Sequence, residues 1–183
     1  MKKLFLAVAA LFIMTFAVQA QHVFDKGSFG LNAGIGIGSY GGYIPSIEVS
    51  AEFGVIPTGD VGLVSFGGLV GYKYSTYDFY YVTGDYNYNY NQFEFGGRAA
   101  WHLHTFTSDK WDVYAGIGFG LHVDSEYASW DIENDKAVRT SALGAYEEVF
   151  VGGRMMMSSG FGLFAELGYS KLSSARFGLT FMM

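Results

Sequence analysis

His122, Asp124 and Ser125 stand close together and supply the parts of a hydrolytic centre: a base, an acid to orient it and a nucleophilic hydroxyl. To work they must meet on one face. In an extended segment successive side chains point to opposite faces, so Asp124 joins His122 and Ser125 does not. His102 and His104 alternate in the same way and could share a metal, yet two ligands without a third define no site. His22 reads as tail. The acids Asp124, Glu126, Asp131, Glu133 and Asp135 fall between Asp124 and Ala142 together with Lys136 and Arg139, and their oxygens would suit a hard cation. No glycine sits where such a loop would turn, so solvated loop charge is the expectation there. These residues predict no catalytic group, no metal site and no cofactor.

The other charges follow a different rule. From Phe93 to Leu103 the odd positions Phe93, Phe95, Gly97, Ala99, Trp101 and Leu103 carry no charge, whereas the even positions include Gln92, Glu94, Arg98 and His102. A period of two is that of a β-strand with one apolar and one polar face. The pattern returns at Val149-Phe150-Val151-Gly152-Gly153-Arg154-Met155, with Glu148 and Arg154 on the polar side. Six more segments alternate likewise: about 28–38, 46–55, 62–74, 111–123, 161–169 and 176–183, with the second repeat extending over about 143–155. Leu63 and Leu69 interrupt the third. Polar stretches from Ser75 to Asn89 and from Asp124 to Ser141 read as long loops, and the connections after even-numbered segments read as short turns.

Eight such segments, each long enough to cross a bilayer when tilted, predict an all-β, eight-stranded antiparallel up-and-down transmembrane β-barrel over residues 21–183. Met1 to Ala20 has the layout of a secretory signal peptide, with Lys2 and Lys3, an apolar middle from Leu4 to Val18 and the small-residue site Val18-Gln19-Ala20. The 183 residues are half hydrophobic, with 26 glycines, 14 tyrosines, two prolines and no cysteine. That composition excludes a disulfide framework and argues against bundles and linkers. The formal net charge of −6 falls further once Lys2 and Lys3 are removed, which argues against a nucleic-acid partner.

Alternation alone does not say which face is inside, because a secreted soluble barrel has the same period with the faces reversed. The polar face is rich in glycine, including Gly34, Gly36, Gly71, Gly96, Gly116, Gly118, Gly120 and Gly152. On a solvated surface these would weaken strands, whereas in the narrow interior of an eight-stranded barrel they make room for larger neighbours. With the polar face inward, Glu48, Glu52, Glu94, Glu148 and Glu166 meet Lys73, Arg98, Arg154 and Arg176 in the lumen. An ion-pair network plugging the lumen is the expectation, and a charged pathway for ions or small solutes is the alternative. Trp101 and Trp111 at one end of the apolar face, and Tyr72, Tyr74 and Tyr169 at the other, suit the two membrane interfaces.

Over nearly its full mature length the chain resembles the small eight-stranded outer-membrane barrels, of the outer-membrane protein X type and the type of the outer-membrane protein A membrane domain, within the broader porin-like barrels. The resemblance rests on the leader, the eight alternating segments, the Gly-Gly-Arg repeats and the closing Arg-Phe-Gly-Leu-Thr-Phe-Met-Met. It implies a monomer in the bacterial outer membrane, exported through the periplasm, among outer-membrane lipids and lipopolysaccharide. It also implies that Phe177, Leu179, Phe181 and Met183 form the terminal signal read by the barrel-assembly machinery, with Met183 where Phe is usual. A structural or adhesin-like surface role follows, with a surface ligand at outer loops such as Tyr86 to Asn91, and for the stretch Tyr77 to Asn91 a strand hairpin projecting beyond the lipid is the equal alternative. A narrow porin-like channel is the second reading. A lipid A-modifying enzyme is the third, because barrels of that kind resemble this one in placing His, Ser and an acid near the outer rim.

Overall fold

The computed structural model describes residues 22–38, 44–81, 84–106, 108–130 and 138–183, and within 77–81, 84–88, 128–130 and 138–139 the backbone alone. Met1 to Ala20, read above as a signal peptide, lies outside the described residues. Eight strands follow in order: β1 Phe29–Ile37, β2 Ser46–Pro57, β3 Gly62–Tyr81, β4 Gly84–Leu103, β5 Trp111–Trp130, β6 Val138–Met156, β7 Phe161–Tyr169 and β8 Ala175–Met182. Each pairs antiparallel with its sequence neighbours, and β1 pairs with β8, from Gly30 opposite Met182 to Ile37 opposite Ala175. Reciprocal backbone bonds between Phe29 and Met183 complete the seam. The sheet is a closed barrel without edges, the expected architecture.

The connections after β2, β4 and β6 lie at one end, with 3₁₀ turns at Gly59–Val61 and His104–Phe106 and the turn at 157–160. Both described ends of the chain lie there too, because Ser28 and Met183 adjoin the ends of β1 and β8. This is the turn end. At the opposite, hairpin end the strands are unequal. β3, β4 and β5 are each 20 residues long and β6 is 19, against nine for β1 and β7 and eight for β8. The polar stretches expected to be loops are therefore largely strand. β3 and β4 stay in register from Gly62 opposite Leu103 to Tyr81 opposite Gly84, and β5 and β6 from Trp111 to Ala128. Their Tyr, Thr and Asn residues keep a period of two without apolar residues, a pattern that propensity supports and a hydrophobicity alternation overlooks.

The faces divide as the glycine argument requires. Ile47, Phe53, Phe66, Val70, Phe95, Ile117, Phe119, Val149, Leu167 and Phe177 are exposed on the outside, while Asn32, Glu48, Glu94, Asp112, Glu148, Arg154, Glu166 and Thr180 are buried inside. Leu63 and Leu69 break the alternation as read, two apolar residues buried on the inward face in the same row as Ser65. Glycine makes this interior fit. A Cβ at Gly116 would lie 2.4 Å from the Phe150 ring, and one at Gly118 would lie 2.8 Å from a Glu148 carboxylate oxygen. Large inward side chains thus lie flat across glycines of the neighbouring strand. A register shift between Gly54 and Ile56 marks a bulge in β2. There Gly54 donates to Ser28 and accepts from Gly27, binding the N-terminal segment to the turn end.

Candidate functional site

The lumen holds three tiers of polar groups. Nearest the turn end, Arg154 on β6 lies opposite Asp112 on β5 and is 1% exposed. It donates to Asp112 Oδ2 at 2.8 Å and to Asn32 Oδ1 at 3.1 Å, pairs with Glu52, and stands over the Tyr114 ring. Thr180 also donates to Asn32 Oδ1, at 2.8 Å. His102 places Nδ1 2.9 Å from Asp112 and Nε2 3.0 Å from Ser65 Oγ. This tier draws side chains from every strand except β7. A planar guanidinium with several donors is the group that can hold so many acceptors in one plane.

Ser65, His102 and Asp112 have the connectivity of a hydrolytic triad, a juxtaposition the sequence analysis did not foresee. The chemistry does not follow. The Ser65 hydroxyl donates to Glu52 Oε2 at 2.6 Å, so its proton is committed away from the imidazole. Both His102 nitrogens face oxygen acceptors, all three residues are buried, and Phe24 stacks on the His102 ring at 4.1 Å. Neither a base nor room for a substrate remains.

In the middle tier two arginines share three carboxylates. Arg98 lies 3.1 Å from Glu148 and donates to Glu166 at 2.9 Å, and its guanidinium sits 3.8 Å over the Phe150 ring. Arg176 pairs with Glu148 and lies 3.3 Å from Glu48 and 3.4 Å from Glu166. Tyr114 donates to Glu166 at 2.9 Å, Tyr146 to Glu148, and Ser46 to Glu48 at 2.6 Å. These neutral donors occupy carboxylate lone pairs that the arginines leave, as buried charge requires.

The third tier faces the hairpin end and is looser. His122 is bracketed by Glu94 at Nδ1 and Asp124 at Nε2, each at 2.9 Å. Gln92 donates to Asp124 at 3.0 Å and Tyr90 to Glu126 at 3.2 Å, while Lys73, opposite Gln92 in register, is buried. Glu94 Oε2 and Gln92 Oε1 are buried without a protein hydrogen-bond partner. The two carboxylates engage opposite nitrogens of one ring and do not converge on a point, and no metal-binding group of three ligands occurs among the described residues. Ser125 lies on the other face, 3.4 Å from Ser141, so the hydroxyl that a His122 centre would need is absent from it. Asp131, Glu133, Asp135 and Lys136 of the acidic stretch lie outside the described residues, and of Arg139 only the backbone is described.

Each end of the lumen is covered by an apolar side chain. At the turn end Phe24 is 1% exposed and packs with Leu63, Met156 and Met182, with Arg154 5.4 Å above its ring. At the other end Leu172, in the turn between β7 and β8, is buried in the mouth, and a Cβ at Gly71 would lie 2.7 Å from it. His22 is not simply tail: it stacks on His104 at 3.7 Å. His104 therefore turns toward the N-terminal segment, away from His102, and its burial together with the His22 imidazole pulls its pKa below the ordinary histidine value. Phe24 and Leu172 were legible only as apolar residues beside turns. Asp112, Tyr114 and Tyr146 carried a better signal, lying in phase with the inward glycines.

On the outside, Trp101 and Trp111 are exposed near the turn end, and the Trp101 indole donates to Thr58 at 3.1 Å. Tyr72, Tyr74 and Tyr169 are exposed toward the other end. Tyr72 donates to Asn91 at 2.7 Å and Tyr74 to Asn89 at 2.6 Å. Phe177, Leu179, Phe181 and Met183 form the outward row of the last strand and its end.

No family model matches the chain, and neither does any curated protein. Among solved structures it is similar to the N-terminal β-barrel domain of OprF from Pseudomonas aeruginosa, at 14% identity and a TM-score of 0.48, covering 86% of this chain and 98% of that one. It is also similar to Ail, the attachment invasion locus protein of Yersinia pestis, at 11% identity and a TM-score of 0.48, covering 86% and 95%. A structure of Ail with the heparin analogue sucrose octasulfate gives 10% identity and a TM-score of 0.45, covering 86% and 96%. The strand pairing itself gives the chain the fold of a small, closed, eight-stranded antiparallel β-barrel.

Proposed function

We propose that the protein is an integral outer-membrane barrel with a plugged lumen and a structural or surface-interaction role, doing its work with its outer surface and its raised hairpins. The carrying observation is that three tiers of paired side chains fill the bore between Phe24 and Leu172. The exposed ring of aliphatic and aromatic side chains supports lipid around the wall, since an apolar surface of this extent has no place in water. The turn end, with the chain ends, then faces the periplasm, and the longer hairpins face outward.

A channel would need a continuous wet path. The unpartnered oxygens of Glu94 and Gln92 favour water in the outer part of the lumen, but the middle and lower tiers close beneath it. Planar-bilayer recording on the refolded protein tests the plug. The expected result is no steady unitary conductance. A steady conductance that vanishes when Arg98 and Arg154 are neutralised would replace this reading with the channel.

A further inference from the structure

From the level of Tyr72 and Tyr74 upward, β3 to β6 continue as a sheet with two unlike faces. Its inward face carries Gln92, Asp124 and Glu126 with Tyr90 and His122. Its outward face, over the same span, carries Tyr72, Tyr74, Asn89, Asn91, Ser125 and Tyr127. Tyr72, Tyr74 and Tyr127 are exposed there. Register sets Tyr72 opposite Phe93, Tyr74 opposite Asn91, Asn91 opposite Ser125 and Asn89 opposite Tyr127, so these residues form one contiguous patch across three strands. The tyrosine hydroxyls are tethered to Asn Oδ1 atoms, which fixes the rings as platforms beside the amides.

The patch is uncharged. Among outward strand positions with described side chains the one charge is the carboxylate of Glu147, and Arg139, of which the backbone alone is described, lies opposite Tyr127 at the edge of the patch. Phosphate is held by guanidinium or ammonium groups, and Tyr72, Tyr74, Asn89, Asn91, Ser125 and Tyr127 supply none. Rigid aromatic faces beside side-chain amides instead suit sugar rings: the apolar faces of a pyranose pack on tyrosine, and paired hydroxyls meet an amide that both donates and accepts. Directly below, the wall changes to Phe93, Phe95 and Val123, so the patch continues the lipid-facing belt upward into the layer where a glycolipid carries its sugars.

We infer that this outward Tyr–Asn face binds the saccharide portion of a glycolipid of the outer leaflet, holding it against the barrel wall. The inference rests on the membrane reading above. The test titrates detergent-folded protein with two probes, lipopolysaccharide carrying its complete core oligosaccharide and the same glycolipid trimmed to its lipid A anchor. Phosphates and acyl chains are then present in both arms. The complete glycolipid is expected to bind about tenfold more tightly, in keeping with a few stacking and amide contacts. That gap should close in a Tyr72→Ala/Tyr74→Ala variant and persist in Glu126→Gln, which alters the inward face. If the double variant does not fold, Asn91→Leu is expected to close the gap in its place. Equal binding of the two probes, or a gap abolished by Glu126→Gln and retained in the outward variants, would overturn the inference. The membrane reading fails separately, if Ile117 and Leu121 in a reconstituted bilayer are shielded from lipid-dissolved quenchers.

Discussion

The two ends of the lumen are built from the same residue types and handle charge in opposite ways. At the turn end, Arg154 satisfies Glu52 and Asp112 at once, His102 and Ser65 complete their hydrogen bonds, and Phe24 seals the group from solvent. At the hairpin end, His122 joins Glu94 and Asp124, but the Asp124 side chain is 45% exposed and Glu94 keeps a buried oxygen without a protein partner. The strand lengths explain the contrast. Near the turn end all eight strands enclose the lumen, whereas above β1, β2, β7 and β8 half the wall is missing and water reaches the remaining charges. In such a barrel, closure of the wall and pairing of the charges go together, because a carboxylate away from water must find its donors within the protein.

Arg154→Met, set beside Asp124→Asn, is the most severe way to break this comparison. Removing the guanidinium leaves Glu52 and Asp112 buried together without their shared partner, which costs about 3–5 kcal/mol. Asp124→Asn, at a partly exposed site, is expected to cost no more than about 1 kcal/mol. Urea unfolding in detergent, followed by the loss of the heat-modifiable band on a gel, measures both. Equal losses would mean that the two ends are energetically alike and that wall height does not control pairing.

Phe24→Ala probes the seal. A fully buried phenylalanine truncated in a rigid core costs about 3–5 kcal/mol, through lost transfer energy and the cavity left behind. Phe24 belongs to a short segment joined to the barrel by the bonds between Gly27, Gly54 and Ser28, and that segment can undock while the strands remain paired. The expected global loss is therefore smaller than that figure, with the larger change confined to the segment. Hydrogen exchange should show faster exchange at the Gly27 amide and unchanged protection in β4 and β5. Loss of protection throughout the sheet would make the segment part of the cooperative unit.

Much of this was readable in the chain because it depends on a period of two. The strand count, the inward glycines and the residues of the ion-pair tiers all follow from which parity each side chain occupies. The upper parts of β5 and β6 were not legible as strand, and for those of β3 and β4 a projecting hairpin was only one of two readings: Thr76, Asn89 and Asn91 present no hydrophobic alternation, and their pairing depends on partners across the hairpin. The partners of each charge were not legible either. Arg98 and Glu94 are near neighbours on one face of β4, yet Arg98 reaches Glu166 on β7, because curvature brings distant strands together across the bore. Phe24 and Leu172 escaped for a third reason. Each is a single apolar residue beside a turn, and only closure of the barrel gives it a hole to fill.

The smallest expected effect is a pH dependence at the turn end, on the stack of His22 and His104. The pKa of His104 lies below its unfolded value, because burial and the adjacent imidazole both oppose its charge. A histidine depressed in this way favours folding while neutral, so its contribution is complete above the ordinary imidazole range and is lost as pH falls through that range. Docking of the N-terminal segment should therefore weaken under mildly acidic conditions, while Arg154 and its partners hold the barrel closed. Exchange at Gly27 should rise over that interval, and His104→Phe, which keeps a ring against His22 without its titrating proton, should flatten most of the response. If the response were unchanged in that variant, the stack of His22 and His104 would not be the titrating element and the docking of the segment would not depend on it.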